Sequence, residues 1–328
     1  SQRTPPVWSA EALLLLARLD ASPLAAAMAS RLRLARGRMG TYEPIDFVLV
    51  LILFALSGVR TLEAFYVELA PFRALAAWKL RRRALPSRSA LSRFLLAADT
   101  TLVDTLRSLL FEDLLRFGLR GDARGGMRDR RGETLLLFDL DGTRQTARLR
   151  ALPHDEERPA STRRRTRSFA PGYTGRKRGE LVRTRSVLQQ AHTREWLDTR
   201  GAPGNGTPQA DLAHAVEALR RYAHAHALDP STVLVRLDGL YGYSWVLRGF
   251  EQAGVGFLAR SAHYALLDRY LLLETLSRDA HATYTPNAGG PSSELFDLPA
   301  FPWTHDDGSE QPVRLLVLRR RLARGERP

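Results

Sequence analysis

The chain has 328 residues, enough for one large or two ordinary domains, and its 44% hydrophobic content suffices for a buried core. A formal charge of +14 favours a polyanionic partner, most simply nucleic acid, with membrane headgroups the weaker rival. There is no cysteine, which excludes disulfide frameworks, Cys-based zinc sites and thiol nucleophiles.

From Ser9 to about Gly121 apolar residues recur at helical spacing, as in Leu13, Leu16 and Leu19, or Leu106, Leu109, Leu110 and Leu114. The spacing predicts an all-helical region over 1–121. Its opening, SQRTPPVWSAE, lacks the long apolar stretch of a signal peptide. The run FVLVLILFAL, Phe47 to Leu56, falls short of the roughly 20 residues that cross a bilayer and reads as a buried helix, so no membrane partner is expected. In LPSRSALSRFL, Pro86 and an N-capping Ser87 open a helix that carries Arg88 and Arg93 beside Leu91 and Phe94. Two readings stand: a DNA recognition helix, with the RRR at 81–83 anchoring phosphates, or an ordinary packed helix with a solvated basic face.

A Gly- and Arg-rich stretch, with a linker at 122–133, separates this region from strand-like sequence. TLLLFDLDGT (134–143) reads as a central strand buried on both faces. ELVRTRSVLQQAH and TREWLDT follow as strands, then a helix at 208–228, the strand TVLVRLD, a helix at 242–254 and the strand VGFLARS. The order predicts an α/β layered sheet over 134–262.

Asp141 and Asp238 both fall at or near strand ends and both precede Gly, where such folds gather their chemistry. Two carboxylates brought together there repel unless a cation bridges them, and a hard divalent ion, Mg²⁺ or Mn²⁺, takes oxygen ligands of this kind. The plain alternative is that each Asp-Gly is a turn. Trp245 with Tyr241 and Tyr243, and Trp303, are further candidates for stacking on bases, against a packing role. His214, His224 and His226 do not share a face and read as part of a solvated helix.

The segments FDLDGTRQTARLRALP, PGYTGRKRGELVRTRSVLQQAHTREWL and RLDGLYGYSWVLRGFEQAGVGFLARS together resemble a DDE transposase of bacterial insertion sequences. The resemblance implies a ribonuclease H-like mixed sheet preceded by a helical domain. It also implies Asp141 and Asp238 as the first two catalytic, metal-holding carboxylates, with Asp139 the fallback for the first. In STRRRTRSF and GRKRGE, Arg163, Arg164, Arg165, Arg176, Lys177 and Arg178 would contact the DNA backbone, a reading the resemblance supports by placing this loop beside the catalytic strand; the plain alternative is a solvated Arg-rich loop. The partners implied are the element ends and target DNA, with a homodimer assembled on DNA and a cytoplasmic, nucleoid-associated location in a bacterium. The family's third acid is a Glu in the pattern Tyr-x2-Arg-x3-Glu-x6-Lys, and that spacing is not found after Ser261. Glu274 is the best acid present, and residues 263–328 resemble the start of an inserted β region, so the chain is expected to stop before its third carboxylate. A catalytically inactive DNA-binding remnant or regulator is therefore the alternative. A remoter one is a haloacid-dehalogenase-like phosphatase, since Asp-x-Asp-Gly-Thr occurs at 139–143.

Overall fold

The computed structural model describes residues 6–34, 40–119, 126–129, 131–146, 169–174, 178–206, 208–261, 264–285, 292–305 and 307–320. The chain divides into two units, Ser1–Gly118 and Leu119–Pro328.

The first unit contains α1 (Trp8–Asp20), α2 (Pro23–Arg31), α3 (Pro44–Ser57), α4 (Leu62–Leu69), α5 (Arg73–Lys79), α6 (Arg88–Ala97) and α7 (Thr100–Arg116). The apolar run at 47–56 lies within α3, whose Phe47, Val48, Leu49, Val50 and Leu53 are core residues. Its start is set locally: Pro44 occupies the first turn, and Glu43 and Asp46 cap each other's backbone. Its end is set by Gly58, left-handed at φ 65°. Phe47 stacks on Phe94 of α6 with ring centroids 4.5 Å apart, so the recognition-helix candidate is anchored to α3. Among the described residues no single helix is long and apolar enough to cross a membrane.

The second unit is built on β2 (Thr134–Thr146), β4 (Arg178–Gln190) and β5 (Trp196–Pro203), followed by α8 (Pro208–Ala225), β6 (Val233–Leu237), α9 (Ser244–Gln252) and β7 (Gly256–Ala259). Short strands β1 (Met127–Arg128) and β3 (Ala170–Tyr173) pair at the edges of β2 and β4. Across the sheet the order is β5-β4-β2-β6-β7: β4 runs antiparallel to β2 and β5, whereas β6 runs parallel to β2 and β7 parallel to β6. Three antiparallel strands followed by two parallel crossovers through helices make this the ribonuclease H-like mixed sheet, with a helical region ahead of it. Core contacts join the sheet to its helices: Phe138 of β2 meets Tyr222 of α8 edge-on at 5.5 Å, and Phe250 of α9 stacks on Phe257 of β7 at 6.1 Å. Gly249 allows α9 to close on α8, since a Cβ there would stand 3.0 Å from the Leu212 side chain.

The sheet departs from expectation in two ways. Leu136, Leu137 and Phe138 are buried, but from Asp139 onward only one face of β2 is covered. The strand also runs beyond 143, its expected end. It runs on through Gly142 to Thr146, because β4 continues to pair with it as far as Thr146↔Val182. After β7 come α10 (Tyr270–Ser277), β8 (Ala282–Tyr284), β9 (Ser293–Thr304) and β10 (Glu310–Arg320). The three strands form a separate antiparallel sheet in the order β10-β9-β8, over a small core of Leu272, Phe296, Leu298 and Phe301.

Candidate active site

Strand register brings the two aspartates together. β2 and β6 run parallel from Leu136↔Val233 to Leu140↔Leu237, so the next position on each strand holds Asp141 and Asp238. Which face they take is fixed two residues earlier. Asp139 and Arg236 are cross-strand neighbours joined by a bidentate ion pair, Nε to Oδ1 at 2.7 Å and Nη2 to Oδ2 at 2.9 Å. Side chains two residues apart on a strand share a face, so Asp141 follows Asp139 there, and Asp238, one residue past the end of β6, comes next to it in register; the charges of both act on Tyr241. Both are exposed. Asp141 is held within the sheet by β4, opposite Val187, and Thr143 donates its hydroxyl to Asp141 Oδ2 at 3.3 Å. Asp238 leaves the end of β6 and enters a short turn in which the Tyr241 amide donates to its carbonyl at 3.1 Å.

Tyr241 and Asp211 lie behind this pair. The Tyr241 ring is 0% exposed, and its hydroxyl has no hydrogen-bond partner among the described residues. Burial pushes its ionisation well above the usual phenol range, and the charges of Asp211, Asp238 and Asp141 push it further. Asp211, in the first turn of α8, is 8% exposed. Burial raises its carboxyl above the usual range, opposed by a hydrogen bond with Ser186 of β4. Nothing in the sequence marked Asp211, because an acid in a first turn is the ordinary partner of a helix N-terminus.

Two neighbouring carboxylates open to solvent fit a hard divalent ion, which would keep several of its waters. Asp141 and Asp238 would hold it. Among the described residues no group of three His, Asp or Glu is gathered that would complete an all-protein site. Asp139, the fallback ligand, is instead committed to Arg236. Glu274 lies on α10 and pairs with Arg278 one turn on.

The other candidates divide. Arg93 is exposed on α6, and Arg88 is exposed but paired with Glu63 of α4 at 3.3 Å. In the RRR run, Arg81 pairs with Asp20 and Arg82 with the buried Asp46, so two of the three hold the helical unit together. Arg163, Arg164, Arg165, Arg176 and Lys177 lie outside the described residues. Arg178 opens β4, but its side chain lies outside them too. Tyr241 and Trp303, the latter 6% exposed, are buried and unable to stack on a base. Trp245 is half-buried and stacks on Tyr243 at 6.3 Å. His226 is not solvated as expected: it packs on Tyr222 with ring centroids 4.4 Å apart, and burial lowers its pKa.

No model of a known protein family matches the chain, and no curated protein matches it.

Proposed function

We propose that the protein acts on DNA as a transposase, cleaving and joining phosphodiester bonds with a divalent ion, Mg²⁺ or Mn²⁺, held by Asp141 and Asp238. The observation that supports this reading is the β2–β6 register, whose next position on either side is an exposed aspartate, Asp141 and Asp238, on a ribonuclease H-like sheet. The chemistry that such an ion supplies when bound is activation of an attacking oxygen and neutralisation of charge developing on the phosphate. The chain's own part is to fix its two ligands: β4 holds Asp141 in the sheet, and the Asp139–Arg236 ion pair clamps β2 to β6 directly below them. The charge of +14 suits DNA ends and target as partners. Assembly in pairs on DNA and a location beside the nucleoid in a bacterial cytoplasm belong to the transposase reading itself.

A supercoiled-plasmid nicking assay with Mn²⁺ tests the reading. Wild-type protein is expected to nick, and Asp141→Asn and Asp238→Asn each to lose at least about two orders of magnitude in rate, the scale of removing a group that acts on the transition state. Nicking that persists in both variants would remove the site assignment.

The second reading, a DNA-binding remnant or regulator that does not cut, is favoured because no group of three His, Asp or Glu able to hold an ion is gathered among the described residues: Asp139 is tied to Arg236, and Asp211 is buried behind the pair. It predicts DNA binding without nicking in the same assay. The aspartyl-nucleophile reading is disfavoured, because the DLDGT strand pairs antiparallel with β4 and Asp139 is locked against Arg236.

A further inference from the structure

The face of the sheet that carries Asp141 continues as a grid of side chains across β4 and β5. Asp141 stands opposite Val187, Thr143 opposite Arg185, and Gln145 opposite Arg183. On the far edge of β4, Arg185 faces Gly201 and Arg183 faces Pro203. The Arg185 guanidinium lies 5.6 Å from the ring centre of Trp196, which is 52% exposed. Arg183 lies 5.6 Å from the Phe169 ring and donates from Nε to Gln145 at 2.8 Å.

Three features of this strip are unexplained by the fold. Arg185 forms no ion pair or hydrogen bond among the described residues, and its Nε is a buried donor left without an acceptor. Trp196 presents an aromatic face to solvent beside it. Gly201 sits inside β5 although its backbone is not left-handed and a Cβ there would meet only the Thr184 carbonyl, at 3.9 Å. Neither conformation nor crowding requires glycine at 201. A glycine inside a strand otherwise marks a bulge, a tight bend or close approach by another backbone or a ligand, and the register shift between β4 and β5 lies elsewhere, at Leu188/Gln189.

The geometry points to a docking strip for a single DNA strand, in which Gly201 admits the sugar-phosphate backbone, Arg185 and Arg183 take its phosphates, and Trp196 stacks on a base. Cations for phosphates and a flat ring for bases are the two elements by which proteins hold unpaired strands. The strip starts next to Thr143, two residues from Asp141 along β2, so a strand lying in it leads to the acid pair. The inference rests on the nucleic-acid reading of that pair.

The test is fluorescence anisotropy of a labelled single-stranded DNA of mixed sequence, titrated with the full chain in EDTA so that binding is read without cleavage. Gly201→Leu, for which the fold has room, Arg185→Ala and Trp196→Ala are each expected to weaken binding roughly tenfold. Arg185→Ala is also expected to reduce the slope of log affinity against log salt by about one phosphate contact. Arg220→Ala, which removes the same charge from the solvent side of α8, is expected to leave affinity within about twofold. Unchanged binding in Gly201→Leu and Arg185→Ala, or an equal loss in Arg220→Ala, would overturn the strip. If these variants weaken binding while wild-type protein fails to nick plasmid, the strip stands and the catalytic reading falls. If they bind and nick like wild type, the reverse holds.

Discussion

Asp211 is a charged group in surroundings that favour its neutral form, and it stands behind the acid pair. Its folded-state pKa is raised, so the folded chain holds this proton more tightly than the unfolded chain does. The resulting stability is present in full below the unfolded carboxylate range and is lost as pH rises through the folded-state value. Asp211→Asn keeps an oxygen for Ser186 without the buried charge. The variant is expected to melt higher than wild type at neutral pH and close to it near about pH 4, where an unfolded Asp is itself half protonated. A lower melting temperature at neutral pH would mean that the charge is compensated in the folded protein, as it would be by a bound cation. At this scale the sequence was partly legible. Asp141 and Asp238 stood out because each breaks an apolar run and precedes glycine. Asp211, Arg185 and Gly201 did not, since burial, a missing acceptor and an empty flank arise only once β4, β5 and α8 are assembled.

Among the elements, α3 was legible because its boundaries are written locally, in Pro44, the Glu43–Asp46 capping pair and Gly58. Gly58 adopts φ 65° with nothing within 4 Å of the place a Cβ would take, so only backbone strain opposes a side chain there. Gly58→Ala is accordingly expected to destabilise the helical unit by about 1 kcal/mol, read as a shift in the urea midpoint with the slope unchanged. A stabilised variant would contradict the αL cap. The end of β2 was not legible. Asp-Gly is a turn signal over two residues, but nine cross-strand pairs with β4 carry the strand through Gly142 to Thr146, and pairing at long range outweighs a local preference. The consequence for the site is direct: Asp141 is gripped inside an antiparallel ladder on one side, whereas Asp238 emerges at a strand end on the other.

For the whole molecule, the order of strands and helices could be read from the change in hydrophobic period, and the ribonuclease H-like sheet follows that order. Which strands lie next to one another could not be read that way, because residues 97 apart in sequence, Asp139 and Arg236, settle it through their side chains and register. The same register makes the acid pair the centre of the functional account. Titration with Mn²⁺, followed by loss of the free-ion electron paramagnetic resonance signal, tests that centre most directly. Wild-type protein is predicted to take up the ion, and Asp141→Asn and Asp238→Asn each to lose that uptake while keeping the wild-type circular dichroism spectrum. Uptake undiminished in both variants, or none in wild type, would contradict the account.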